Sequence, residues 1–481
     1  MSVVDRYHLA PGFAVSRVIT GLWQIADMER DGRAIDLDAT AAAMAPFVTA
    51  GFTSFDMADH YGSAEDVAGR FSARPGAPAV ELFTKWVPKP GRVSQADVRA
   101  AVQRALGRLR RDRIDLMQFH AWSYADPSWL DCLFWLDELR QEGLIAHLGL
   151  TNFDTAHLRI VLTTGIPVTT NQVCFSLLDQ RAAGPMSALC QSHGVKLLAF
   201  GTVAGGLLSD RWLGRDDPAA LSTWSQMKYR RFVTEAGGWE ALQGLLYVLH
   251  RHAARLGVSI ANIACRYILE QPAVAGIIVG ARLGEAEHIA DNRRLFAFSL
   301  DAECRRDVAA VLATMRAIPG DCGDEYRRPP FLTASGDLSH HLEAFPPPYD
   351  VRQRGPRTSA LSGTVWEGLA GFSRAVRYGD RIVVSGTTAT HGARALGGGD
   401  VVAQSHAIID KIEGAIQSLG GTLDHVVRTR IFIRHEGDWE AVSRVHGERF
   451  RDIQPANTLV RADIIGDEYL VEMEAEAMVA T

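Results

Sequence analysis

Six cysteines, at positions 132, 174, 190, 265, 304 and 322, are spread through 481 residues with no C-x-x-C pair. That scatter argues for free thiols in a reduced, cytoplasmic compartment over a disulfide framework. Long apolar runs are also missing. Leu245-Leu246-Tyr247-Val248-Leu249 is among the longest, far short of the roughly 20 residues that cross a bilayer. The N-terminal stretch Met1-Ser2-Val3-Val4-Asp5-Arg6 has no apolar core of the kind a signal peptide needs. The net charge is a mild -6 with no basic stripe, so neither nucleic acid nor a membrane is an expected partner. No G-x-G-x-x-G follows an early strand, which argues against a Rossmann domain.

What is present is the composition of a soluble globular protein, 47% apolar and 22% charged. The chain is too long for one ordinary core, so two domains are expected. Over the first part, short β-branched or apolar runs alternate with amphipathic segments. Strands are predicted at 17–20, 53–56, 82–85, 116–120, 147–151, 169–172, 196–200 and 276–279. Helical segments are predicted at 38–50, 64–71, 94–109, 130–141, 156–163, 185–193 and 244–265. Eight strands alternating with helices over this length predict an α/β fold, a closed (β/α)8 TIM barrel.

In such a barrel the active site collects at the C-terminal ends of the strands. Asp56, Lys85, His120, Asn152, Gln172 and Gly280 all fall at or just beyond a predicted strand end, and Tyr61 follows one short loop after Asp56. Each alone has an ordinary structural reading, such as a helix cap, a solvated lysine or a core histidine. Together, Tyr, Lys, Asp and His can form a proton donor with a device to lower its pKa. Trp23, Trp86 and Trp122 lie just past strand ends and are candidates for walls of a substrate pocket. The long polar stretch 209–238 reads as a lid or binding loop.

These residues carry a family resemblance. Residues 10–315 resemble an aldo-keto reductase through Phe55-Asp56-x-Ala58-x-x-Tyr61-Gly62, Thr84-Lys85, Gln118-Phe119-His120, Gly149-Leu150-Thr151-Asn152-Phe153 and Asn171-Gln172. Further matches are Ala199-Phe200-Gly201-x-x-x-Gly205-Gly206-Leu207-Leu208 and Val279-Gly280-Ala281-Arg282, with Glu287, His288 and Asn292 beyond. The resemblance implies hydride transfer between a nicotinamide and a carbonyl, with Tyr61 as proton donor and Lys85 lowering its pKa. Asp56 would fix Lys85, and His120 would orient the carbonyl. Asn152 and Gln172 would hold the carboxamide, and Phe200 would stack on the nicotinamide. The loop from Gly201 to Leu207 would carry the pyrophosphate on backbone N–H groups. Gly280, Arg282 and Asn292 complete the expected cofactor set. Arg282 could pair with a 2′-phosphate, which favours NADP, with NAD as the alternative.

Periodicity weakens after about residue 318, and 319–357 reads as a linker between a barrel at 1–318 and a domain at 358–481. His340-His341 has no evident third ligand, and no metal site is predicted. From Trp366, strands at 374–378, 381–387, 425–433, 458–463 and 469–479, with helices at 402–419 and 436–451, predict a strand-rich α+β domain. It resembles the Rid family (reactive intermediate deaminases) through Gly371-Phe372-Ser373-Arg374-Ala375-Val376, Val384-Ser385-Gly386-Thr387, Pro455-Ala456-Asn457-Thr458 and Val471-Glu472-Met473-Glu474-Ala475. Hydrolytic members carry an arginine where Asn457 stands and a tyrosine where Phe372 stands. Glu472 matches the glutamate associated with water activation. The resemblance implies a cleft with Phe372, Asn457 and Glu472, and trimerisation through this domain.

The leading expectation is an NADP-dependent oxidoreductase interconverting a carbonyl compound (aldehyde, ketone or sugar) and an alcohol, with a divergent Rid-like domain that binds a ligand or assembles subunits. Two alternatives stand beside it. One is a non-catalytic nucleotide-sensing or assembly protein. The other is an imine or enamine hydrolase centred on the C-terminal domain.

Overall fold

A computed structural model of the chain describes residues 3–338, 342 and 344–480; His340 and His341 lie outside them. The eight parallel strands Val18–Gly21, Ser54–Asp56, Glu81–Trp86, Ile114–Phe119, Ile145–Thr151, Val168–Cys174, Lys196–Phe200 and Val274–Gly280 close on themselves, the last pairing with the first. This is the predicted barrel. The strands carry β-branched and aromatic residues that suit a pleated, buried surface. A hairpin of Arg6–Ala10 and Phe13–Ser16 stands ahead of the first barrel strand. Its Leu9, Phe13 and Val15 join Ile19, Phe83, Leu116, Leu198 and Ile278 in one buried cluster. Each such fully buried side chain contributes about 1.5–3 kcal/mol relative to exposure.

Two predicted helices divide. The segment 244–265 breaks into Trp239–Leu256 and Ile260–Leu269 because Gly257 ends the first in the left-handed region, φ 67°, and Ser259 caps the second. The segment 38–50 splits around Ala43 and Met44, with Pro46 opening the second piece. Conversely, the stretch read as the loop 209–238 holds a helix, Trp224–Glu235, capped by Thr223. At Gly257 an added Cβ meets nothing within 4 Å, so Gly257→Ala tests backbone strain alone. It is expected to cost about 1–2 kcal/mol, read from the urea midpoint.

The C-terminal domain is a seven-stranded sheet in the order Asp350–Arg354, Arg357–Leu361, Ala375–Tyr378, Arg381–Thr387, Val471–Met478, Val426–Ile433, Ala456–Arg461. All its pairs are antiparallel except the last. The sheet therefore begins ahead of residue 358. The stretch read as a linker is divided: its end is sheet, while Cys322, Tyr326 and Leu332 are buried in clusters with barrel residues. Helix Val401–Ser418 is buried on nearly every face, the signature of a helix covered from all sides. It packs on strands of its own sheet and on the barrel helix Thr155–Leu162. At Gly414 a Cβ would come within 2.3 Å of the Ala125 carbonyl oxygen, so the close approach of the two domains requires glycine there.

Candidate active site

A cleft of about 600 Å³ opens at the C-terminal ends of the barrel strands, within the range of small-molecule and cofactor sites. Strand alternation decides what enters it. On Glu81–Trp86, Lys85 points inward and its neighbour Trp86 outward. Lys85 Nζ donates to Asp56 Oδ2 at 2.6 Å and to the Met57 carbonyl at 2.9 Å, with both side chains almost wholly buried. Asp56 Oδ1 accepts from Gln118 Nε2 at 3.0 Å and Gln172 Nε2 at 2.8 Å. The carboxylate is thereby fixed from three strands. Burial lowers the pKa of Lys85, while Asp56 pulls it back up.

Tyr61 lines the same cleft, its ring centroid 4.9 Å from Lys85 Nζ. The expected depression of its pKa is absent. Desolvation, then Asp56, Asp337 and Tyr326, hold the phenol well above its ordinary value. Burial is the largest cause, and the Asp56 carboxylate that pairs with Lys85 adds to it. The cation that opposes the rise is Lys228. His120 is buried, with Nδ1 3.4 Å from the Thr151 carbonyl and its ring edge-on to Trp122 at 4.6 Å.

Most of the predicted cofactor residues share this cleft: Asn152, Gln172, Phe200, Gly201, Gly280, Arg282 and Asn292 line it, as do Trp23 and Trp122. Two predicted residues do not. Trp86 packs against Phe119 in the outer core, with ring centroids 5.6 Å apart. Leu207 is fully buried in the core, and its N–H is already bonded to the Ala204 carbonyl. Arg282 donates to Asp27 at 2.9 Å and Glu285 at 2.8 Å. Gln172 uses its amide N–H groups on Asp56 and on Gln118 Oε1.

The residues present suit a nicotinamide dinucleotide. The Asn152 Oδ1 is buried without a hydrogen-bond partner among the described residues, a cost of about 1–3 kcal/mol that a carboxamide N–H would remove. Asn152 itself sits at φ 58°, and Arg327 holds its carbonyl at 2.7 Å.

Three cleft residues were not anticipated from the sequence. Lys228 donates to Tyr326 Oη at 2.7 Å and to Asp337 at 3.0 Å, and all three are buried. Lys228 Nζ lies 5.1 Å from the Phe200 ring centroid, and Tyr326 stands edge-on to His120 at 5.5 Å. The 3.6-residue pattern of 224–235 was the one available signal for Lys228. Nothing local marks Tyr326 or Asp337.

In the C-terminal domain, Asn457 pairs with Thr429 and Glu472 with Phe432 on neighbouring strands. Thr429 and Phe432 are three apart, so Asn457 and Glu472 face opposite sides of the sheet. Asn457 donates to Thr429 at 2.9 Å. Glu472 stands beside Gly386, where a Cβ would come within 2.1 Å of its Oε1. The Phe372 ring lies 5.3 Å from the Arg374 guanidinium. Within one chain the three do not form a single cleft.

Comparison with known proteins places these observations. The sequence model of the aldo/keto reductase family matches residues 17–313, and the one described as Endoribonuclease L-PSP matches residues 365–479. An uncharacterized protein of Streptomyces coelicolor is 40% identical over 117 residues, covering 24% of this chain and 87% of that protein. Protein tas of Escherichia coli is 24% identical over 356 residues, covering 65% of this chain and 98% of its own length. In fold, glycerol dehydrogenase from Gluconobacter oxydans superposes with a TM-score of 0.55 at 22% identity, over 66% of this chain and 98% of that one.

Proposed function

Because the chain belongs to the aldo/keto reductase family and ends in a domain of the L-PSP, or Rid, family, we propose that it is an NADP-dependent enzyme interconverting a small aldehyde, ketone or sugar and its alcohol. The observation that carries this reading is the meeting of Tyr61, His120 and the buried Lys85–Asp56 pair in one cleft. A reduced nicotinamide supplies the hydride when bound. The chain's own groups do the rest. Asn152 offers an unpaired acceptor for the carboxamide. Trp23 and Trp122 wall the substrate side, and His120 orients the carbonyl oxygen. Tyr61 gives that oxygen its proton. A phenol held protonated suits the reductive direction, in which charge developing on the oxygen draws the proton across.

The test is a fluorescence titration of the purified protein with NADPH and then NADH, followed by a panel of carbonyls and alcohols read at the reduced-cofactor absorbance. Turnover of a panel member with either cofactor is expected. Failure of both cofactors to bind would sink the proposal. NADPH is the favoured cofactor because Arg282 lines the cleft and can exchange Glu285 for a 2′-phosphate. Charge-assisted hydrogen bonds contribute about 1.5–3 kcal/mol. Arg282→Ala is therefore expected to weaken NADPH binding about tenfold and to leave NADH binding unchanged.

We assign the C-terminal domain to assembly. Its helices cover one face of the sheet, while Tyr378, Val383, Val460 and Met478 are exposed on the other. They stand among the ion pairs Arg381–Glu476, Arg428–Glu476 and Arg430–Glu474, and this mixed face suits a trimer, to be checked by light scattering. No helix among the described residues is long and apolar enough to cross a membrane. The cysteines are free and buried, which supports a cytoplasmic setting.

A further inference from the structure

Between the barrel and the C-terminal sheet lies a second cavity, of about 220 Å³, bordered by Tyr124, Tyr349, Thr364, His391, Asp410 and Lys411. Taking about 30 Å³ per water, it has room for about seven waters or a small organic molecule. Its rim runs past half-buried His391 and exposed Gly392, which leaves a way in.

Lys411 stands out among the groups that line it. Its side chain is buried, and its Nζ donates to the backbone carbonyls of Thr388 at 3.1 Å and Thr390 at 2.6 Å. Among the described residues no carboxylate forms an ion pair with it. The carboxylates nearby are spoken for. Asp410 accepts from His157 at 2.8 Å and Arg449 at 2.7 Å. Asp131 meets His391 at 2.7 Å, and Glu367 faces Arg374 at 3.5 Å. A buried ammonium without a counter-charge is costly, and the group sheds its proton instead. Two carbonyl acceptors satisfy both N–H bonds of a neutral amine and leave its lone pair free. Burial first, and then the Arg374 charge, push Lys411 down to about 7, the setting in which a lysine becomes a nucleophile at neutral pH. The cavity also holds an acceptor-donor with no partner among the described residues, the buried Thr364 Oγ1.

We propose that Lys411 is a nucleophilic amine that condenses with a small aldehyde entering this interdomain cavity. The amine nitrogen bonds to the carbonyl carbon. The carbonyl oxygen departs as water carrying both amine hydrogens, and an imine remains. No electrons are exchanged, and the step requires no cofactor, so it is independent of the chemistry assigned to the barrel.

Butyraldehyde and sodium cyanoborohydride, added to the full-length protein at neutral pH, would fix the imine as a butylated lysine for peptide mapping. A neutral fraction near one half at Lys411, against about 10⁻³ for an exposed lysine, leads us to expect labelling of Lys411 at least about tenfold faster than of exposed Lys89. Its rate should reach half its maximum near pH 7. Lys411→Met should lose that label and keep those elsewhere; the wild-type map decides the question even if this variant does not fold. Labelling confined to Lys89 and Lys196, preferential labelling of Lys85 or Lys228, or a Lys411 profile that rises only with Lys89 would each overturn the proposal.

Discussion

Replacing Tyr61 by phenylalanine is expected to lower kcat by about 10²–10⁴-fold, the usual contribution of a positioned general acid. The change removes one hydroxyl and keeps the ring that lies 4.9 Å from Lys85 Nζ, so the cleft should hold its shape. Cofactor affinity should therefore be unchanged in the fluorescence titration, while turnover collapses. Because desolvation and Asp56 keep the phenol protonated, the wild-type rate of carbonyl reduction should not fall through neutral pH for want of the Tyr61 proton. A Tyr61→Phe protein as active as the wild type would mean that another group delivers the proton. Tyr326, bonded to Lys228, would then be the first to replace.

The second large effect lies at the domain interface. His157 bridges two carboxylates, Asp154 at 2.6 Å and Asp410 at 2.8 Å, and stacks on Tyr124 at 3.4 Å between centroids. Burial alone would depress its pKa, but Asp154 and Asp410 carry it up to about 9. Breaking a buried ion pair by removing one partner costs about 3–5 kcal/mol, and His157→Gln should destabilise the protein by that order in urea. The sign of the pH dependence follows from the raised value. The imidazolium contribution is complete below the unfolded pKa of about 6.5 and is lost as pH rises through about 9. At about 1.4 kcal/mol per pKa unit, the loss is on the order of 3 kcal/mol. Asp410, held low by His157 and Arg449 against its burial, loses its share in the opposite direction, as pH falls below its ordinary value. Stability that stayed level between neutral pH and pH 9 would count against the bridge.

The proposed catalytic set was legible because strand ends are legible. Asp56, Lys85 and His120 close runs whose apolar pattern is local, and the barrel brings them together. Trp86 shows the limit of reading by strand end alone, since the alternation that turns Lys85 inward turns its neighbour outward. Lys228 and Asp337 are 109 positions apart, and His157 and Asp410 are 253 apart. Each half of such a pair reads as an ordinary surface charge until the fold buries it. The rise in the Tyr61 pKa has a related origin, because its largest cause is burial, which the motif around Asp56 and Tyr61 does not encode.

The match to the reductase family ends at residue 313, yet the buried residues Tyr326 and Asp337 line its cleft. A recombination event at the family boundary would thus carry away part of the lining of the reductase cleft along with the second module. It would also leave Lys228 without its counter-charge. A break that fell after Asp337 and before the first strand of the sheet, Asp350–Arg354, would instead leave the cleft whole. The point at which the C-terminal module can be exchanged is therefore set by Asp337 and not by the end of the family match.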